Sequence, residues 1–239
     1  MRVIYDGVAD IQKLVPDLSE ADIKSADFGS YSFDDYFDDM ARITQHRADP
    51  DLLEILIRQS LPALEWMRGH GVRFQPSFGR QAYKVDGRFK FWGGLAVETW
   101  GGGPGLVAAL FDGADRAGVR VIYDARAREL MLDGGRVHGV RATLRDGETL
   151  EVEAGAVVLA SGGFEANGEM RARYLGPGWD LAKVRGTRHN MGDGIQMALA
   201  AGAEPFGNWS GCHAVGWDMN APPYGDLTVG DGFQKHSYP

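Results

Sequence analysis

The sequence predicts an α/β fold in which helices precede a three-stranded β-meander and a buried strand. Three observations predict it. Leu53, Leu56, Ile57, Leu61, Leu64 and Met67 recur at helical spacing, the mark of a helix with one face in a core. Asp133-Gly134-Gly135 and Asp146-Gly147 separate three strand-like segments, and such dipeptides are strong hairpin signals. Ala156-Val157-Val158-Leu159-Ala160 is an unbroken apolar run that ends on Ser161-Gly162-Gly163-Phe164, as a strand buried on both faces would.

Each element has its own warrant. Asp34-Asp35-Tyr36-Phe37-Asp38-Asp39 reads as a solvated helix face with Tyr36, Phe37 and Met40 turned inward. A hard-cation loop would need a glycine turn and alternating ligands, which this stretch lacks. Asp49-Pro50 supplies an N-cap followed by proline at the first helical position, starting a core helix that runs to Gly69 and Gly71 with a kink at Pro62. From Gly79 to Gly105 aromatics and glycines alternate, including Tyr83, Phe89, Phe91, Trp92 and Trp100. That mixture suits a loop over a flat ring system, or a well-packed aromatic loop. Gly101-Gly102-Gly103-Pro104-Gly105 opens a helix that ends near Gly118, and a glycine run at a helix start is friendly to anions. No Gly-Lys-Ser/Thr follows, so it is not a Walker loop.

Strands are then predicted over Val119 to Tyr123, Ala127 to Leu132, Val137 to Leu144, Thr149 to Val152 and the apolar run 156–160. Asn190-Met191-Gly192-Asp193-Gly194 opens a helix that closes at Ala201-Gly202. Glycines at a strand end let the backbone approach a ligand with no Cβ between, although an ordinary tight turn has the same sequence. A carboxylate between glycines at a helix start can accept from ribose hydroxyls, or cap the helix. Together these two segments read as close-approach sites for a nucleotide. From Phe206 onward the chain turns rich in Gly, Pro, Trp and Tyr.

Composition excludes several classes. The 239 residues carry a formal charge of -8, from 25 Lys and Arg against 33 Asp and Glu, which disfavours nucleic acid or an anionic membrane surface as partner. No apolar run approaches the length of a transmembrane helix, and no secretory leader is visible. One cysteine, Cys212, precludes an internal disulfide, fits a reducing, cytoplasmic setting, and reads as buried and inert rather than nucleophilic. The six histidines show no metal-ligand spacing, so no metal is expected, and His70 and His138 read as structural.

In chain order, Glu65-Trp66-Met67 with Gly71-Val72, Gly101 to Gly105, Val157 to Phe164, Gly192-Asp193-Gly194 with Met197-Ala198, and Gly211-Cys212-His213 resemble the flavoproteins of the fumarate reductase and succinate dehydrogenase family. The resemblance implies FAD as cofactor. The fold it implies is a partial FAD-binding, Rossmann-like domain with a β-meander over residues 1–206, and the start of an α+β capping domain over 207–239. It implies cofactor contacts at Ala125, Arg126 and Ala127 for the adenine, at Ala160, Ser161, Gly162 and Gly163 for the adenosine, and at Asp193. His213 matches the family's carboxylate-binding histidine, although Ala214 stands where relatives carry proline. Gln234 and Lys235, with His236, stand where relatives present a Thr-Glu pair to substrate, and the extra cation suits a third carboxylate. The implied activity is hydride exchange between flavin and a C–C bond flanked by carboxylates, with a small di- or tricarboxylate as substrate and no feature that specifies the electron acceptor.

The family's opening strand, GxGxxG turn, acidic strand end and Gly-Gly-Asn stretch are not in this sequence, and its catalytic arginine is expected beyond Pro239, so the chain reads as an internal segment of a larger enzyme. Two other readings stay open. Flavin-dependent ketosteroid dehydrogenases share the scaffold but need an apolar slot and a tyrosine acid. A non-catalytic binding module would hold no FAD.

Overall fold

The computed structural model describes residues 2–79, 81–214, 216 and 219–225. They form two compact units, residues 1–121 and 122–239.

In the first unit, α1 (Val8–Leu14), α2 (Glu20–Ser25), β1 (Ala26–Asp27), α3 (Phe33–Thr44), α4 (Pro50–Arg58) and α5 (Ser60–Gly69) precede β2 (Phe74–Pro76), β3 (Ala82–Val85), β4 (Arg88–Phe91), β5 (Val97–Thr99) and α6 (Gly102–Arg116). α3 starts where Ser32 and Asp35 form a reciprocal capping box, the Ser32 hydroxyl accepting from the Asp35 N–H and the Asp35 carboxylate accepting from the Ser32 N–H. Tyr36 is buried, and Phe37 and Met40 pack against the same core, as the sequence predicts. α4 starts on the Asp49 carboxylate, which accepts from the N–H groups of Asp51 and Leu52.

The helix is interrupted near Pro62, where a kink is expected, by the single residue Gln59, which itself keeps right-handed dihedrals (φ -87°, ψ -1°). A proline ring clashes with the carbonyl four residues back, here that of Arg58, the last residue of α4. The chain turns at Gln59 and restarts, which leaves Pro62 in the first turn of α5, where an N–H would have no partner anyway. Val3, Ile11, Leu14, Ile57, Val72 and Val97, each at most 2% exposed, are the centre of this unit's core.

β3 and β4 form a hairpin through Asp86 and Gly87, both left-handed (φ 51° and 84°), and β1 pairs with β4 in parallel. The aromatic loop is in large part a packing device. Phe91 stacks on Phe28 at 5.1 Å, and Phe89 lies 5.0 Å from Phe78, while Tyr83 and Trp92 pair at the surface. The glycine run is explained at Gly105, where a Cβ would overlap the Trp100 carbonyl.

The second unit carries β6 (Ala125–Asp133), β7 (Arg136–Leu144), β8 (Thr149–Glu153), α7 (Gly168–Leu175), a 3-10 turn (Trp179–Leu181) and α8 (Asp193–Ala200). The meander forms as predicted, in the order β6-β7-β8, all antiparallel. Gly134 and Gly135 are both left-handed (φ 54° and 83°), the geometry a two-residue hairpin demands. Arg141 on β7 pairs with Glu129 on β6 and Glu151 on β8, tying the three strands across one face.

Two predicted strands are absent. Residues 119–123 and 156–160 belong to no helix or strand and join no ladder among the described residues. A strand is defined by a ladder to its neighbour, and neither segment joins a ladder among the described residues. Val158 is accordingly 86% exposed and Tyr123 70%.

Candidate functional site

In the second unit, three segments predicted to hold a nucleotide converge. α8 opens at Gly192, which is left-handed (φ 81°) and makes no side-chain cap. The Asp193 carboxylate is therefore not a helix cap. Both its oxygens accept from Arg126 instead, Oδ2 from Nε at 2.8 Å and Oδ1 from Nη2 at 2.9 Å, a planar fork-to-fork pair. This pair fastens the start of β6 to the start of α8. The hydrogen bonds from Arg126 hold the Asp193 carboxyl below the usual aspartate range, against a smaller upward push from burial.

The turn at 160–163 lies against the same helix start. The Gly192 N–H donates to the Gly163 carbonyl at 3.0 Å, and the Asn190 amide lies where a side chain on Gly162 would be. A Cβ on Gly194 would overlap the Ser161 hydroxyl, and one on Gly192 would press on Met170. Asn167 completes the corner, capping α7 through Met170 N and donating its amide to the Met191 carbonyl at 2.9 Å. The glycines are thus required by close packing as much as by any ligand.

Ala125 and Ala127 flank Arg126 on β6, so the three predicted cofactor segments, 125–127, 160–163 and Asp193, share one corner of the unit. Residues 156–162 donate no hydrogen bond among the described residues, and most of their surface is open to solvent. Gly162 is left-handed (φ 75°), and a strand-end glycine leaves its main-chain groups open to close approach by a ligand. The resemblance names Arg126 among the cofactor contacts, but its ion pair with Asp193 is not legible in the sequence, because the two residues lie 67 positions apart.

Beside this corner is a cavity of about 780 Å³, whose wall includes Gly163, Phe164, Asn190, Cys212 and His213. His213 therefore faces the same space as the turn predicted to meet the cofactor. Cys212, expected to be buried, is exposed and free. Residues 206–214 form no helix or strand, and no described residue buries the thiol. Gln234, Lys235 and His236 lie outside the described residues. No cluster of potential metal ligands occurs among the described residues, and no helix among them is long and apolar enough to cross a membrane.

An α/β unit with a meander, a bare apolar segment ending in a glycine turn, and an aspartate held at a helix start has the make-up of part of a flavoprotein domain. The family whose description is FAD binding domain matches residues 22–214, and the chain belongs to it. The chain is 27% identical over 154 residues to NADH:fumarate oxidoreductase of Klebsiella pneumoniae, covering 64% of this chain and 16% of that protein. It is 32% identical over 169 residues to NADH:acrylate oxidoreductase of Vibrio harveyi, covering 66% and 16%. The chain thus spans about a sixth of the length of these relatives. Its fold superposes on the open conformation of a flavocytochrome c3 fumarate reductase with a TM-score of 0.62 at 20% identity, over 85% of this chain and 33% of that one.

Proposed function

We propose that the chain is the nucleotide-side part of an FAD-dependent oxidoreductase that acts on a C–C bond flanked by carboxylates, with tricarballylate, oxidised to cis-aconitate, as the specific substrate. The observation that carries this reading is the position of His213, on the wall of the cavity that also borders Gly163 and Phe164. Membership of the FAD binding domain family and the relatives that reduce fumarate and acrylate support the reaction class.

FAD, when bound, supplies hydride exchange at a carbon beside a carboxylate. The chain's own residues do the rest. Ala125 to Ala127 and Ala160 to Gly163 receive the nucleotide through main-chain groups, and Asp193 with Arg126 holds the two segments in register. His213 donates to a substrate carboxylate and stabilises the charge that grows on it as hydride is transferred. Gln234 and Lys235 are proposed to complete the carboxylate contacts. We take residues 1–206 as the cofactor-binding part and 207–239 as the opening of a domain that covers the substrate.

The test is His213→Ala made in the complete enzyme and assayed with FAD added to saturation. Turnover of tricarballylate is expected to fall roughly 10²–10³-fold, the usual loss when one charge-stabilising donor is removed, with flavin content and melting temperature unchanged. Unaltered turnover per folded molecule would withdraw His213 from the site. Oxidation of a 3-ketosteroid in place of tricarballylate would overturn the substrate class.

A further inference from the structure

His213 stands on a stretch of chain with little to hold it in place. Among the described residues, 204–214 make no hydrogen bond outside their own segment. The bonds they do make are local. Asn208 Oδ1 accepts from the Ser210 N–H at 3.0 Å and from the Ser210 hydroxyl at 2.8 Å, and Trp209 Nε1 donates to the Phe206 carbonyl at 3.0 Å. From 202 to 214 every residue is exposed except Trp209. Local bonds fix the shape of a turn, but they do not fix where the turn lies on the protein.

Trp209 supplies that second fix. Its ring meets the Tyr174 ring edge-on at 4.9 Å and the Phe164 ring at 6.2 Å, while Phe164 and Tyr174 are themselves 5.6 Å apart. All three separations lie in the range where aromatic pairs attract beyond the area they bury. Tyr174 belongs to α7, and Phe164 follows directly on the glycine turn at 160–163, so the ring cluster joins the loose segment to two elements of the candidate cofactor corner. Phe164 and His213 border one cavity, and His213 stands four positions beyond Trp209. A side chain so near the one packed residue of its segment takes its placement from that residue.

We propose that Trp209 is a positioning residue, whose ring, seated against Phe164 and Tyr174, clasps the segment that carries His213 and sets the place of His213 on the cavity wall. The clasp depends on packing alone, and its effect on turnover rests on the function proposed above. The competing role for Trp209 is local: closing its own turn through the bond to the Phe206 carbonyl, with no hold on the segment.

Two measurements separate these roles. A nitroxide spin label on Cys212, the one cysteine of the 239-residue chain and an exposed one, reports the mobility of the segment by electron paramagnetic resonance. Trp209→Ala is expected to shorten the label's rotational correlation time about twofold or more, on the nanosecond scale of loop motion. Trp209→Phe, which keeps a ring but loses the bond to Phe206, should stay near the natural chain. Tyr174→Leu is the deciding variant, because it removes the opposing ring from α7 and leaves the turn untouched; it should free the label as Trp209→Ala does, with helix content unchanged.

The second measurement is kinetic and uses the complete enzyme with saturating FAD. Trp209→Ala should lower kcat on tricarballylate roughly 10–10²-fold with KM unmoved, as a misplaced stabilising group does, and Trp209→Phe should restore it. In a His213→Ala background the same substitution should cost little more, since it acts through a side chain no longer present. A label as restrained in Trp209→Ala or Tyr174→Leu as in the natural chain would overturn the clasp, and so would a Trp209→Ala loss of equal size with and without His213. A label freed as expected, beside a His213→Ala enzyme of full turnover, would leave the clasp standing and sink the role of His213 alone.

Discussion

Gly194 sets two effects of known size against each other. Alanine is favoured over glycine inside a helix by about 1 kcal/mol, yet a methyl here would overlap the Ser161 hydroxyl. Gly194→Ala is therefore expected to lower the melting temperature and weaken FAD binding together, because the Ser161 hydroxyl must turn away from the helix start; a stabilised variant would show that the hydroxyl turns aside freely. Its neighbour Asp193 gives a pH dependence. The folded-state pKa is depressed by the bonds from Arg126, so the pair stabilises above the unfolded aspartate value near about 4, and that contribution is lost as pH falls through the lower folded value. Both side chains are partly exposed, which limits the contribution to about 1 kcal/mol or less. Urea titrations at neutral and at strongly acidic pH should differ less for Asp193→Asn than for the natural chain. At this scale the sequence located Asp193 through its flanking glycines and Arg126 through the resemblance, but the pairing of the two leaves no local signature, since it depends on what the fold brings near.

Elements were legible where their stabilisation is local. Capping residues at Ser32 and Asp49, the Asp-Gly and Gly-Gly turns of the meander and the apolar face of α4 all act within a few positions of where they stand in the chain. The α4 face gives a direct check. Ile57 is fully buried whereas Leu56 is 51% exposed, so Ile57→Ala should cost about 2–5 kcal/mol and Leu56→Ala no more than about 0.5 kcal/mol. Equal costs in chemical denaturation would mean that the helix buries a different face. Pro62 marks the interruption at Gln59 in the sequence, but pattern alone does not distinguish a bent helix from two short ones. Residues 119–123 and 156–160 have the composition of strands, yet composition cannot supply the neighbour that makes a ladder.

For the whole molecule, family membership and the absence of a GxGxxG turn point in different directions on cofactor affinity. A glycine turn at a helix start is the principal receiver of the pyrophosphate in dinucleotide folds. The 239-residue chain should therefore emerge colourless and take up FAD weakly in a fluorescence titration, and recovery of a yellow protein with one flavin per chain would refute this. The bare segment 156–160 has a consequence of another kind. Val157, Val158 and Leu159 carry no charge and no proline, and their amides offer an unguarded template on which a second molecule can lay down a strand. Storage at high concentration should accordingly produce aggregates rich in intermolecular β-structure, with a lag that shortens as concentration rises, and Val158→Lys, a single gatekeeper charge at an exposed position, should keep the protein in solution.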